Sequence, residues 1–315
     1  MDRQHEEYLE LFNQINFEKI KDHPNILIAA NFWDNDRYEA ARTFYRFMRA
    51  IDDLIDNHKS SHLGFSEDEK QQFTGNVEQW LEVVRNEAKE NSLYQELLET
   101  IEGFRIPLWP LEAFAKSMVY DIHHDGFSTV QQFLEYAGGA SVAPASIFVH
   151  LCGIRRDNGQ YLQPLFDVRE AAIPCAVFSY LVHIIRDFQK DQFNNLNYFA
   201  DDLLEKNGLH RKDLRMIAEK GDIPDGFRMV IKEYHALAEQ YRQKTCDMIE
   251  TIWPHLGPRY QLSLEVVFNL YLMVFERIHP ETGSFSKEEL NPTTAEMRSR
   301  VLETVQNFNG KPGIR

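Results

Sequence analysis

An all-α fold is what this sequence predicts, and three observations predict it. Apolar residues recur three and four apart over long stretches, the period of one helix face. Prolines such as Pro24, Pro107, Pro164, Pro224, Pro258 and Pro292 fall where those stretches start or stop, as suits a residue with no backbone N–H to donate. No period-2 strand run, Asn-Gly hairpin or repeated strand–helix unit stands out. Residues 57–68, 155–160, 220–226 and 279–292 read as loops, none long or biased enough to link domains. The expectation is one helical unit over 1–315, with eight to ten helices and its core at about 25–278.

A chain of 315 residues with 43% hydrophobic content can bury a large core. Its 34 basic and 49 acidic residues leave a net charge of −15, which excludes nucleic acid and anionic lipid as general partners. Cys152, Cys175 and Cys246 show no CxxC spacing and read as packing residues. The N-terminus is acidic and polar, unlike a signal peptide. The most apolar runs, 140–154 and 264–278, are short or interrupted by His150, Glu265 and Asn269; a span takes about 18 or more apolar residues. The tail over 305–315 is polar. A cytoplasmic protein with no transmembrane segment is expected, with room for peripheral membrane contact.

Asp34, Asn35 and Asp36 offer N-cap side chains for a helix over 38–56, which contains neither glycine nor proline. On it Tyr45, Arg49, Asp52 and Asp56 share one stripe, Asp53 sits one step round, and Phe44, Met48, Ile51 and Ile55 lie alongside. The carboxylates therefore border the buried face, where they repel each other and lose hydration, and so require a cation. Mg2+ suits them, because it takes carboxylate oxygen and keeps water and phosphate as further ligands. Taken alone, the spacing equally describes a solvated helix end with an Arg49–Asp53 pair at i,i+4.

A second such stripe changes the balance. Over 176–191, Tyr180, His183, Asp187 and Asp191 line up beside an apolar face of Leu181, Ile184, Ile185 and Phe188. Two acidic helices facing across a cavity would hold metal, with a diphosphate completing its coordination. That is how an acidic protein can bind an anion. His183 reads either as a ligand or as a packed imidazole, and Arg186 either as a phosphate contact or as a solvent-facing cap.

These motifs resemble those of the squalene/phytoene synthases. The run from Tyr45 through Arg49, Asp52 and Asp53 to Asp56 is similar to the family's Y-x-x-x-R-x-x-D-[DE]-x-x-D. His183, Arg186, Asp187 and Asp191 match its N-x-x-R-D-x-x-x-D, except that His183 replaces asparagine. Tyr198 stands at the tyrosine of a following R-x-Y, with Asp202 in a similar downstream context. Met118 to Asp121 and Phe133 to Ala137 resemble its M-x-x-D and L-x-x-Y-C pairs. The small residues over 138–146 resemble the stretch that bends around prenyl chains, and Tyr241 and Tyr271 fall where the family carries tyrosines.

The resemblance implies the isoprenoid-synthase fold around a central cavity, and a Mg2+-dependent prenyltransferase joining two prenyl diphosphates head to head with release of pyrophosphate. The product would be of squalene, dehydrosqualene or phytoene type, or its cyclopropyl intermediate. It further implies that Asp52, Asp56, Asp187 and Asp191 hold Mg2+ with Asp53 in support, and that Arg49 and Arg186 bind diphosphate. Tyr45, Tyr136 and Tyr271 would line the cavity, with His183, Tyr180, Tyr198 and Asn25 near the substrate.

The departures are specific. Q-L-x-N becomes Tyr180-Leu181-Val182-His183, the arginine two before Tyr198 is Leu196, and H-x-x-S-F becomes His23-Pro24-Asn25-Ile26-Leu27. Each removes a polar contact to diphosphate. Asn25 is similar to some hopanoid-pathway relatives, which favours farnesyl over geranylgeranyl diphosphate. Two other readings stay open: a prenyl diphosphate phosphatase or terpene cyclase on the same scaffold, and a non-catalytic prenyl-lipid-binding homologue. No dinucleotide fingerprint speaks for NADPH, whose use stays open because reductive members of the family lack one too.

Overall fold

Helical periodicity becomes helix through most of the described residues. The computed structural model describes residues 3–19, 24–62, 64–85 and 92–313; His23 lies outside them. In chain order the helices are α1 (Arg3–Gln14), α2 (Pro24–Ala30), α3 (Asn35–Ser61), α4 (Glu67–Arg85), α5 (Ser92–Phe104), α6 (Trp109–His123), α7 (Val130–Ala137) and α8 (Ala143–Gly153). After a hairpin of β1 (Arg155–Asp157) and β2 (Gln160–Leu162) come α9 (Val168–Arg186), α10 (Phe188–Phe193), α11 (Asp201–Lys206) and α12 (Arg211–Lys220). The last are α13 (Asp225–Ile252), α14 (Pro258–Phe275), α15 (Lys287–Leu290) and α16 (Thr294–Asn307).

Sixteen α-helical segments among the described residues exceed the eight to ten expected. The excess is short pieces: α10, α11 and α15 span six, six and four residues, too few to show a period. The hairpin corrects the reading of 155–160 as plain loop. Asn158 and Gly159 take φ of 48° and 82°, the paired left-handed conformation of a two-residue hairpin turn, which asparagine and glycine adopt most easily. In the 57–68 segment, α3 runs on to Ser61 before a short connection, and in 279–292 one helical turn, α15, forms.

Local chemistry sets the two helices that matter most. The Asp34 side chain accepts from the Arg37 N–H at 3.2 Å and starts α3; its buried stripe includes Phe44, Met48, Ile51 and Ile55, as the spacing predicts. Asp167 caps α9, accepting from the N–H groups of Arg169 and Glu170. The expected helix over 176–191 is not continuous. At Asp187 the backbone takes φ −94°, ψ 6°, outside the helical well, and the chain restarts as α10.

Between α7 and α8 the chain widens into a π turn, Gly138–Val142. Here α6 comes so close that a Cβ on Gly139 would lie 2.1 Å from Ser117 Oγ. Ser141 Oγ donates to the Ala176 carbonyl at 3.0 Å and ties this turn to α9. Helix α9 packs most extensively on α13 and also on α8 and α14. Its rings meet α14 edge-on, Phe178 to Phe275 at 5.5 Å; each such buried aromatic contributes about 1.5–3 kcal/mol of hydrophobic stabilisation.

Among the described residues, α9 is long and apolar enough to cross a membrane, and 61% of its most apolar window is buried inside the protein. It displaces 140–154 and 264–278 as the most span-like segment, and its burial marks it as a core helix.

Candidate active site

A cavity of about 1240 Å³ opens between α3, α8, α9, α13 and α14. One end is acidic and the other apolar. Helix α3 contributes Arg49, Asp52, Asp53 and Asp56, and the α9–α10 break contributes Tyr180, His183, Arg186, Asp187 and Asp191. Asn25, Tyr136, Tyr198 and Tyr271 also line it. The structure thus brings together every site residue the sequence singled out except Tyr45. Nearly two turns up α3 from Asp52, Tyr45 lies instead against a smaller side cavity of about 120 Å³, which shares Arg49 and Asp52 with the main one. Asp202 lies outside the main cavity, its Oδ1 accepting from the Leu203 N–H at the start of α11. Tyr241 lies outside it as well, half-buried on α13.

The apolar end comes from small residues on two helices: Ala140, Pro144 and Ala145 on one wall, Ala171, Ala172 and Ala176 on the other. Their short side chains leave the space between the two walls unfilled. Phe148, Ile252, Leu264 and Val267 close it.

Charges at the acidic end are arranged in two different ways. On α3, Arg49 donates to Asp52 at 2.7 Å and pairs with Asp53 at 2.5 Å. Asp56 has no such partner on its own helix among the described ion pairs. Burial, then repulsion from Asp56, pushes the Asp52 carboxyl up to about 7 despite Arg49. Burial and Asp121 push Asp56 up to about 6. Across the cavity, Asp187 is gripped on both oxygens: Arg186 Nε donates to Oδ1 at 2.7 Å and Nη2 to Oδ2 at 3.0 Å, while His183 Nε2 lies 2.8 Å from Oδ2. Burial opposes its ionisation, yet His183 and Arg186 hold Asp187 well below the usual carboxylate range. Asp191, buried beside Asp187, is pushed well above it.

Among the described residues no three carboxylate, imidazole or thiol side chains converge closely enough to cage an ion. The donors suit a metal that takes one or two carboxylates and completes its shell with water and substrate phosphate, the usual habit of Mg2+. Asp52, Asp56 and Asp191 fit such an ion, because each is a crowded carboxylate whose charge burial penalises. Asp187 fits less well, since binding would require it to release His183 or Arg186.

Two charged residues stand just behind this end of the cavity: Lys59, which sequence reasoning missed, and Asp121, which it placed in an M-x-x-D resemblance without giving it a role. Asp121 on α6 lies close enough to raise Asp56, and Lys59 on α3 pairs with Asp121 at 3.6 Å. Lys59 stands three residues after Asp56, one turn further along the same stripe, and that spacing was the available signal. Asn25 is buried and hydrogen-bonded with Tyr271, which joins α2 to α14 at the cavity wall.

The family model Squalene/phytoene synthase matches residues 21–295. Among solved structures, a dehydrosqualene synthase in complex with ligand superposes with a TM-score of 0.65 at 14% identity, over 96% of this chain and 99% of that one. The squalene synthase HpnC from Alicyclobacillus acidocaldarius gives 0.62 at 15% identity, over 82% and 93%. YisP from Bacillus subtilis subsp. subtilis strain 168 gives 0.61 at 14%, over 96% and 99%. At such identities the likeness shows the fold, and no curated protein sequence matches the chain.

Proposed function

The chain belongs to the squalene/phytoene synthase family of prenyltransferases, and from that we propose that it condenses two prenyl diphosphates head to head, with farnesyl diphosphate as substrate and Mg2+ as cofactor. The observation that carries the proposal is the polarity of the cavity: two carboxylate-bearing helices face each other at one end, and small and apolar side chains line the other.

Mg2+, when bound, would neutralise the departing diphosphate and make it a stabilised leaving group. Asp52, Asp56 and Asp191 would hold it, with Asp53 in support, and Asp187 would join by releasing one of its present partners. Arg49 and Arg186 stand where a diphosphate would compete with Asp52, Asp53 and Asp187 for their guanidinium N–H groups. Substrate binding thus exchanges ion pairs within a helix for ion pairs to phosphate. Tyr136, Tyr180 and Tyr198 offer ring faces to an allylic cation. The apolar walls exclude water, which would otherwise quench that cation before the second chain's double bond attacks it.

A second reading draws on the His183–Asp187–Arg186 clamp and on Leu196. With fewer polar contacts free for diphosphate, the cation would be quenched without condensation, giving a prenyl alcohol or a cyclised C15 product.

The deciding experiment incubates purified protein and Mg2+ with farnesyl or geranylgeranyl diphosphate, with and without NADPH, and identifies products by mass. A C30 hydrocarbon or its cyclopropyl diphosphate precursor supports the proposal, and a C40 product moves the substrate to geranylgeranyl diphosphate. Farnesol or a C15 hydrocarbon favours the second reading. No Mg2+-dependent pyrophosphate release would leave a prenyl-lipid-binding homologue.

A further inference from the structure

Lysine is almost never buried unless paired. Lys59 is buried, its side chain only 7% exposed, behind the acidic end of the cavity, close enough to act on Asp56. Its Nζ donates to the His124 carbonyl at 3.1 Å and lies 3.6 Å from Asp121 Oδ1. The Asn195 side-chain amide donates to the Lys59 carbonyl at 3.3 Å. The other oxygen of Asp121 accepts from the Tyr136 hydroxyl at 2.5 Å. Ser117 Oγ donates to the Tyr136 carbonyl at 2.9 Å, and Phe127 and Tyr120 pack on its ring at 5.0 and 5.5 Å. Tyr136 lines the cavity.

We infer that Lys59 is a positioning residue of this site: its ammonium anchors the Asp121 carboxylate, which in turn fixes the Tyr136 hydroxyl against the cavity wall. The charge inventory explains why a lysine is needed. Arg49 is already engaged by Asp52 and Asp53, and Arg186 by Asp187. Lys59 is the cation that the described ion pairs give to Asp121.

With its hydrogen committed to Asp121, the Tyr136 hydroxyl has only oxygen lone pairs left for other partners. An electron-rich oxygen held rigidly favours developing positive charge, and it does so without reorganising during the reaction. Without Lys59, Asp121 would lose the ion pair that holds it in place, and its Oδ2 would no longer be fixed against the Tyr136 hydroxyl. A displaced acceptor frees the phenol hydrogen to swing toward the cavity, where it opposes a cation. This inference rests on the proposed cation chemistry, although the hydrogen-bond chain itself does not.

The test compares Lys59→Met, Lys59→Arg and Tyr136→Phe with wild type in steady-state turnover. Lys59→Met should lower kcat by about 100-fold, the loss typical of a displaced catalytic geometry, while KM and the Mg2+ requirement change by less than about twofold. Lys59→Arg should recover most of the rate. Adding Lys59→Met to Tyr136→Phe should cost little beyond Tyr136→Phe alone, because both act through one hydroxyl. Selective labelling of tyrosine Cζ supplies a readout independent of turnover: the Tyr136 carbon signal should shift in Lys59→Met and stay near wild type in Lys59→Arg. Wild-type kcat in Lys59→Met, multiplicative losses in the double variant, or an unmoved Tyr136 signal would overturn the inference. If Lys59→Met does not fold, Lys59→Gln takes the same measurements. Should wild type itself release no pyrophosphate, the proposed function fails, and the carbon signal alone decides the role of Lys59.

Discussion

The two acidic helices face one cavity but hold their carboxylates by opposite means. Helix α3 is regular for 27 residues, and its motif carboxylates Asp52 and Asp56 repel each other, with Arg49 as the cation that acts on both. The α9–α10 segment breaks its helix at Asp187 and locks that carboxylate between His183 and Arg186. On α3 the carboxylates are electrostatically unsatisfied and open to a cation. Across the cavity Asp187 is satisfied before any ligand arrives, whereas Asp191 beside it is as crowded as the pair on α3. The same sequence signature, paired aspartates four apart, therefore does not fix how available a carboxylate is. Its neighbours decide that.

The largest effects should come from removing one carboxylate on each side. Asp52→Asn and Asp187→Asn should each lower kcat by about 100- to 1000-fold, the range for losing a preorganised electrostatic contact. Their stabilities should diverge. Asp52→Asn relieves repulsion and should leave the melting temperature in Mg2+-free buffer unchanged or higher. Asp187→Asn strands the largely buried Arg186 guanidinium and should destabilise the fold by about 3 kcal/mol. Chemical denaturation of both variants checks this; equal stability losses would erase the distinction between the helices.

Next comes pH. Asp52 and Asp56 titrate at about 7 and about 6 in the folded chain, above the 3.8 of a free aspartate. The folded state therefore binds their protons more tightly than the unfolded state does. They favour folding at low pH, and that contribution is lost as pH rises from about 4 through about 7. Asp187 has the opposite sign: its depressed value favours folding above the ordinary aspartate range and is lost on acidification. In chelator, wild type should lose thermal stability between pH 5 and 7 more steeply than Asp52→Asn, and Mg2+ with pyrophosphate should flatten the slope. A profile identical in wild type and Asp52→Asn would contradict the crowding on α3.

His183→Asn sharpens the comparison from the other side. It frees Asp187 Oδ2 of the imidazole, removes a hydrogen bond to a charged group, and should cost about 1.5 kcal/mol of stability. If the clamp withholds Asp187 from metal, the variant should also reach half-maximal rate at several-fold lower Mg2+. The smallest effect belongs to Asp53→Asn. Its pair with Arg49 is partly exposed on both sides, so denaturation should register no more than about 1 kcal/mol.

Much of this molecule was legible in order along the chain. Apolar spacing on α3 identified Phe44, Met48, Ile51 and Ile55 as its buried stripe, because the 3.6-residue period is a local property of the backbone. The same period placed Arg49, Asp52 and Asp56 on one face, and all three line the cavity. Where the reading failed, the deciding force was short-range or non-local in a way that pattern does not carry. The Asn158-Gly159 turn was passed over as loop because its strands are three residues each, too short for a period-2 signal. The break at Asp187 was hidden because its helix-forming neighbours continue the pattern straight through it.

The sequence by itself determined the all-α class, the two acidic stripes and their order, since each depends only on spacing along a helix. Tertiary structure alone decided that Tyr45 falls in the side cavity and that α9 is a buried core helix. It also decided that Asp121, sixty-two residues beyond Lys59, comes to rest beside it. The physical reason is range: helical spacing is set within a few residues, whereas burial and charge pairing depend on which distant surfaces meet.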